Sequence, residues 1–127
     1  MGSTSSEAPA ATLYQRLGGG AKLETIIGDI VDAHLANAAI HTRFEPFDRK
    51  EMKRNAFLFF AMATGGPEVY EGRGLVATHR GMNVNEQEFV AATDDVLAVL
   101  RKHGVGDREQ AEVLAAFFAM KGEVLHL

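Results

Sequence analysis

The stretch Phe57–Met82, FLFFAMATGGPEVYEGRGLVATHRGM, is the part of the sequence around which the rest is organised. It begins with an aromatic run typical of a helix, breaks at Gly65-Gly66-Pro67, and ends in a short segment that contains His79. A neutral imidazole is the commonest metal ligand among side chains, so His79 is the candidate ligand of this stretch. Because most lone histidines are surface residues, the assignment depends on the pattern of the whole chain.

The composition predicts one globular domain and excludes several functions. The chain has 127 residues, of which 46% are hydrophobic, and a net charge of −4. Mild acidity without a run of Lys or Arg argues against a nucleic-acid partner. The absence of cysteine excludes disulfides, iron–sulfur clusters and thiolate zinc sites, and suits a reducing cytoplasm. No apolar window is long enough for a membrane span and no signal pattern is present, so we expect a cytoplasmic protein without a membrane partner.

Residues 1–11, MGSTSSEAPAA, are small and polar and predict a disordered tail ahead of a domain at residues 12–127. Gly2 and Ser6 match the Met-Gly-x-x-x-Ser pattern of N-myristoylation. The alternative is that this segment is a flexible tail without a lipid, which is what we expect.

The remaining sequence predicts an all-α chain of five to six helices in a bundle-like packing. Apolar residues recur at three- and four-residue steps, no stretch alternates like a strand, and no heptad persists. The first three predicted helices cover Leu13–Leu17, Leu23–Leu35 with a partly polar end at Ala36–Thr42, and a segment capped by Asp48 that ends at Gly65. The last three cover Leu75–Met82, a segment capped by Asn83 or Asn85 and closed by Gly104, and Asp107–Leu125.

Taken in chain order, the motifs of this sequence resemble those of the group I truncated haemoglobins. The resemblance covers Leu13 to about Leu127 and rests on the following residues: Leu13-Tyr14-x-x-Leu17-Gly18-Gly19, Phe44, Phe59-Phe60, Gly65-Gly66-Pro67, Tyr70-x-Gly72, His79 and Gly104-Val105. It implies a shortened globin fold of two-over-two helices around one haem b, with His79 as the proximal iron ligand and Phe44 against the porphyrin.

Other residues are candidates for contact with the cofactor. Haem burial needs apolar walls, and the candidate lining residues are Phe44, Phe59, Phe60, Leu75, Val76, Met82, Val84 and Phe89. Each of these except Phe44 is also explained as a plain core residue. Arg73 and Arg80 flank the His79 segment and are placed either to bind the haem propionates or as ordinary surface charges.

On the gas-binding side the sequence departs from the family. Many members carry a Tyr and a Gln that donate hydrogen bonds to the bound gas, but the Tyr position here is Val31. The next helix presents Met52, Asn55 and Ala56, and among these only Asn55 is able to donate. We therefore expect an apolar distal pocket, weaker preference for oxygen over carbon monoxide, and faster autoxidation.

An internal ligand is the alternative to an open distal position. His34 lies one turn beyond Val31, Met52 is able to ligate ferrous iron, and Lys53 reaches the same side if the helix register slips. Otherwise His34 is a core histidine and Lys53 a surface residue. We expect the remaining histidines, His41, His103 and His126, to face solvent.

Four functions follow from these patterns. The preferred one is reversible binding of a diatomic gas, either oxygen, nitric oxide or carbon monoxide, by a monomer or weak dimer. A nitric oxide dioxygenase, which requires a reductase partner, is less well supported because Val31 and Ala56 are poor donors. The others are a six-coordinate redox or sensor protein and a haem-free helical interaction module.

Overall fold

Helices joined by short loops make up the fold of residues 10–127, the part of the chain that this computed structural model describes. In chain order the helices are α1 (Leu13–Arg16), α2 (Gly19–Ala36), α3 (His41–Phe44), α4 (Arg49–Ala63), α5 (Leu75–His79), α6 (Glu86–Lys102) and α7 (Asp107–Ala119), and a 3₁₀-helix follows at Lys121–Glu123. The predicted Gly2 modification pattern lies outside the described residues. Within residues 10–127, no helix combines the length and the apolar character that crossing a bilayer requires.

Helix α2 is the centre of the packing. Its buried residues Leu23, Ile26, Ile27 and Ile30 recur at three- and four-residue steps and give the helix one apolar face. This helix packs against α4 and α6, while α7 packs against α6. The pairs α2–α4 and α6–α7 are the two layers of the predicted two-over-two arrangement, so the all-α prediction is confirmed. Burial of each large aliphatic side chain in this core contributes about 1.5–3 kcal/mol.

The N-terminal glycine run both ends α1 and begins α2. Thr12 and Gln15 form a capping box, in which each side chain accepts a hydrogen bond from the backbone N–H of the other. After α1, Gly18 adopts a φ of +112°, which glycine tolerates because it has no Cβ atom. Only Leu17 and Gly18 therefore separate α1 from α2.

Two separate glycine motifs meet at Tyr14. The Tyr14 hydroxyl donates a hydrogen bond of 2.9 Å to Oε2 of Glu68, just after the Gly65-Gly66-Pro67 break. A Cβ atom at Gly66 would lie 2.5 Å from two carbons of the Tyr14 ring, and one at Gly20 would lie 2.8 Å from its hydroxyl oxygen. Both positions therefore exclude a side chain, and the close contact joins α1 to the end of α4.

The prediction that the second helix has a polar end at Ala36–Thr42 is wrong, because α2 ends at Ala36. Asn37 leaves the helical conformation with ψ of 115°, and its side-chain oxygen accepts a hydrogen bond from the N–H of Ala39. Such a local side-chain bond competes with helix continuation. The chain turns here and forms the short helix α3, which the sequence reasoning did not separate.

The last helix is shorter than its apolar periodicity predicts. The series was expected to run to Leu125, but α7 ends at Ala119 and the 3₁₀-helix follows. Leu125 then forms an isolated parallel β-bridge with Val84, in the loop between α5 and α6. The apolar residues after Ala119 thus hold a distant loop instead of extending the helix.

Replacement of Gly66 by Ala should destabilise the fold. We expect the Gly66→Ala variant to lose about 1–3 kcal/mol of unfolding free energy, the usual cost of forcing an extra methyl group into a packed site. Urea unfolding measures this loss. The control is Gly122→Ala, since no atom lies within 4 Å of a Cβ at that position. A Gly66→Ala variant as stable as Gly122→Ala would contradict the packing described at Tyr14.

Candidate functional site

His79 is the last residue of the short helix α5 and its side chain is half-buried. Its Nδ1 atom lies 2.8 Å from the carbonyl oxygen of Leu75, one helical turn earlier. Because a carbonyl oxygen only accepts hydrogen bonds, Nδ1 carries the ring proton. The neutral ring then has its lone pair on Nε2, and a backbone carbonyl bonded to the other nitrogen is the usual arrangement behind a ligating histidine.

The predicted cofactor-lining residues are less buried than the main core. Leu23, Ile26 and Leu100 of the core are completely inaccessible. By contrast, an intermediate exposure is shared by Phe44, Met52, Ala56, Phe59, Phe60, Leu75, Val76 and Met82. A set of large apolar side chains that keep part of their surface in water is suited to a flat apolar cofactor.

Two further predicted lining residues are buried by contacts within the protein. Phe89 lies edge-on against Phe118 of α7, with ring centroids 5.6 Å apart. Val84 pairs with Leu125 in the β-bridge. These contacts explain the burial of Phe89 and Val84 without a cofactor, so a role for either residue in haem contact stays a prediction.

The polar residues predicted for the site lie at the surface. Asn55, Arg73 and Arg80 are all exposed. Exposed arginines are available to a charged group at the edge of a cofactor, but their exposure alone does not distinguish this role from that of ordinary surface charges. The assignment of Arg73 and Arg80 to the propionates also stays a prediction.

His34 is held by α6 and supports Phe44. Its Nδ1 atom lies 2.9 Å from Oδ2 of Asp95, and the same carboxylate accepts two hydrogen bonds from the Asn37 side chain. The His34 ring stacks on Phe44 at a centroid distance of 4.9 Å. Burial lowers the pKa of His34, against the opposing effect of Asp95, so the neutral ring with its proton on Nδ1 is favoured. His34 is thus a core histidine whose partner is a carboxylate, and it fixes the position of Phe44.

The donor set of this chain fits haem. Among residues 10–127, no group of three or more His, Cys, Asp or Glu side chains is placed to hold a metal ion. A single imidazole is nevertheless sufficient for haem iron, because the porphyrin supplies the four equatorial nitrogen ligands. A histidine whose Nε2 is ready to ligate, together with a half-buried apolar set, is the combination that such a cofactor needs.

Comparison with known proteins agrees with this geometry. The family model described as bacterial-like globin matches residues 12–126. The chain belongs to the bacterial-like globins. The match spans both helix layers and includes Phe44 and His79.

Known group 1 truncated hemoglobins are similar to this globin in sequence and in structure. The one from Tetrahymena thermophila is 27% identical over 106 residues, which are 81% of this chain and 88% of that protein. The one from Synechocystis is 28% identical over 109 residues, covering 83% and 88% of the two chains. The Fe(III) crystal structure of the truncated hemoglobin from Tetrahymena pyriformis superposes with a TM-score of 0.89 at 25% identity, covering 92% of this chain and all of that one. These matches confirm the group I resemblance, and the globin's cofactor is haem b.

Two charged side chains of the globin are paired with α2. Lys53 Nζ lies 3.1 Å from Oδ2 of Asp32, so this lysine forms an ion pair with α2. His103 Nε2 lies 2.7 Å from Oδ2 of Asp29, and only 16% of the His103 side chain is exposed. The expectation that His103 faces solvent is therefore wrong.

Arg43 is a residue that sequence reasoning missed. Its guanidinium donates two hydrogen bonds of 2.8 Å to the carboxylate of Glu88 and one of 2.6 Å to the carbonyl oxygen of Met82. The two bonds between Arg43 and Glu88 lower the pKa of Glu88 and raise the pKa of Arg43, so the pair remains charged. Nothing in the sequence signals this contact, because its partners lie about forty residues away and on other elements.

The loop after His79 is also held by the last residues of the sequence. The carbonyl oxygen of Leu127 accepts hydrogen bonds from the N–H groups of Gly81 and Asn83, at 3.1 and 2.8 Å. His126 donates its N–H to the carbonyl oxygen of Val84 at 2.9 Å. The chain immediately after the candidate ligand is thus fixed by two distant parts of the molecule.

The buried His34 should make the fold sensitive to acid. A folded-state pKa below the unfolded value means that the unfolded chain binds the additional proton first. The stability that this histidine contributes is therefore complete above its unfolded pKa and is lost as the pH falls towards its folded pKa. We expect the unfolding free energy to fall below about pH 6.5, with a slope of at most about 1.4 kcal/mol per pH unit for this one proton.

Urea unfolding at several pH values between 5 and 8 tests this expectation with the His34→Gln variant, which keeps a donor for Asp95 but has no ring to titrate. The variant should show a shallower loss of stability than the wild type across this range. His126→Gln, at an exposed histidine, is the matched control and should keep the wild-type slope. Equal slopes in all three proteins would show that His34 is not the group responsible.

Proposed function

We propose that this haem-binding globin reversibly binds a diatomic gas at haem iron held by His79. The observation that carries the proposal is the hydrogen bond from His79 Nδ1–H to the Leu75 carbonyl, which leaves Nε2 as the ligating atom. Haem bound here would supply an iron that His79 would hold and that would bind the gas. The chain's own residues set the orientation of the imidazole and the polarity of the opposite side.

The proposed gas side of the site is apolar. The proposal assigns it to Val31 on α2 and to Met52 and Ala56 on α4, none of which has an N–H or O–H group in its side chain. Asn55, which adjoins Ala56 and has a side-chain donor, is exposed. Without a donor, a polar ligand such as oxygen loses a hydrogen bond worth roughly 1.5–3 kcal/mol. We therefore expect rapid release of oxygen and a weaker preference for oxygen over carbon monoxide.

An open gas position is favoured over an internal ligand. The His34 ring is stacked on Phe44 and Lys53 is paired with Asp32, so each would have to give up a contact within the protein in order to ligate iron. The bond between His34 Nδ1 and Asp95 is not itself an obstacle, because it leaves the lone pair on Nε2. Met52 remains the third candidate. The same apolar residues make nitric oxide dioxygenation less favoured than simple binding, since that chemistry depends on a retained oxygen ligand and on a reductase partner. A cytoplasmic location and a monomeric or weakly dimeric state belong to the same proposal.

The first test is the visible spectrum of the purified ferrous protein with and without carbon monoxide. We expect a five-coordinate spectrum that shifts when the gas is added. The His79→Gly variant should lose this spectrum because the iron loses its protein ligand, and added imidazole should restore it by occupying the space of the missing ring.

Two controls make this result specific. The His126→Gly variant removes an exposed histidine and should keep the wild-type spectrum. Split low-spin bands without added gas would contradict an open position, and their loss in the Met52→Leu or His34→Gln variant would identify the internal ligand. A His79→Gly variant that retains the wild-type spectrum would overturn the axial role of His79.

The apolar gas side leads to a second expected result. Val31→Tyr should slow oxygen dissociation by about ten- to a hundredfold, which is the effect of one added hydrogen bond to the ligand. Stopped-flow displacement of oxygen by carbon monoxide gives this rate. The matched control is Val31→Phe, which adds the same ring without the hydroxyl group. If Phe slows the release as much as Tyr does, the effect is steric and the proposed lack of a donor is wrong.

A further inference from the structure

We propose that Arg43 is a positioning residue for His79, acting through the backbone that follows this ligand. The inference rests on the proposed function, because it takes His79 as the axial ligand. It adds a residue on α3, next to Phe44, that bonds to the loop after His79. In this way a single guanidinium joins the segment that carries Phe44 to the segment that follows His79.

The loop after His79 needs an external constraint. Helix α5 is only five residues long, and its main packing partner is the 3₁₀-helix at Lys121–Glu123. Directly after it, Gly81 and Asn83 have positive φ values of 85° and 49°. A positive φ is uncommon for a residue with a side chain, so the conformation at Asn83 persists only where surrounding contacts impose it.

Arg43 supplies such a contact. It donates to the carbonyl oxygen of Met82, between the two residues with positive φ, at 2.6 Å. Its other nitrogens bind both oxygens of Glu88, in the first turn of α6. Glu88 itself is part of the capping box that begins α6 with Asn85. One arginine therefore fixes the loop, the start of α6 and α3 relative to one another.

The chemistry of the side chain explains why an arginine is suited to this position. A guanidinium has a rigid fork of donors that binds a carboxylate at two points and still has a donor for a carbonyl group. A lysine carries the same charge but lacks this fork. About 30% of the Arg43 side chain and 19% of the Glu88 side chain are exposed, so the pair is partly shielded from water.

Resonance Raman spectroscopy of the ferrous holoprotein tests the proposal, because the iron–histidine stretching band reports directly on the geometry of the axial ligand. In Arg43→Met, which keeps much of the stem but loses the fork, we expect this band to broaden and move to lower frequency. Arg43→Lys should restore it only in part. The rate of haem transfer to an acceptor protein should rise about tenfold in Arg43→Met, the factor expected for one lost charge-assisted hydrogen bond.

Arg16→Met is the matched control. Arg16 has a comparable exposure of 24% and also binds a carboxylate at two points, on Glu112 of α7, but it lies on α1. Its loss should destabilise the protein without moving the iron–histidine band. If Arg16→Met and Arg43→Met change the band equally, the effect is general destabilisation and the positioning role is overturned.

The result also separates this proposal from the one on which it rests. If His79→Gly loses the iron–histidine band while Arg43→Met leaves it unchanged, His79 is the ligand and only the positioning role is wrong. If His79→Gly keeps the band, both proposals are wrong.

Amide hydrogen exchange gives a readout that does not depend on the iron. In Arg43→Met the N–H groups of Gly81 and Asn83, which donate to Leu127, should exchange faster than in the wild type. Arg16→Met should leave their exchange unchanged relative to the other amides. Unchanged protection of Gly81 and Asn83 in Arg43→Met would overturn the proposal.

Discussion

The backbone after His79 is held by contacts with distant residues, and the candidate site depends on this constraint. Helix α5 has too few residues to be fixed by its own packing, and two of the residues that follow it have left-handed backbone angles. The hydrogen bonds to Leu127 and from Arg43 satisfy this backbone in that conformation. A longer helix would provide its own rigidity through more buried side chains, whereas here a few polar bonds supply it.

The glycine motifs reduce chain length in the opposite half of the molecule. Gly18 reverses the chain between α1 and α2, and Gly66 allows the end of α4 to lie directly against Tyr14. Because Gly66 has no side chain, the Tyr14 ring packs directly on its backbone, and α1 contacts the end of α4 without an intervening element. Helix α2 packs against both α4 and α6 and carries five buried residues.

Much of the fold can be predicted from the sequence, because its helix signals are local. The apolar steps of α2, the cap at Asp48 and the break at Gly65-Gly66-Pro67 are local signals, and the structure has a helix over the first and helix boundaries next to the other two. The start of α2 at Gly19, four residues before the predicted Leu23, was not predicted. The end of α2 at Ala36 was missed because it depends on Asn37, whose side chain bonds to Asp95 far along the chain. The apolar run after Ala119 was taken for helix because periodicity does not show which partner buries a residue.

The candidate site likewise contains residues that local sequence signals predict and residues that only long-range contacts reveal. Motif order proposes His79 and Phe44 as site residues, and the proton on Nδ1 of His79 follows from a bond within one helical turn. Arg43, Asp95 and Leu127 were not found, since each acts on a residue from a different element. Side chains that orient a ligand are recognised by distance in space, which a single sequence does not contain.

The contact between Leu127 and the loop at Gly81 also affects the order in which parts of the chain acquire their native contacts during synthesis. Helices α2 and α4 are close in sequence and are able to pack before α7 has been synthesised, because closing a short loop costs little entropy. The carbonyl that holds Gly81 and Asn83 belongs to Leu127, which is synthesised after all of the helices described above. The loop that follows His79 therefore acquires these two hydrogen bonds only after the helix layers are able to pack.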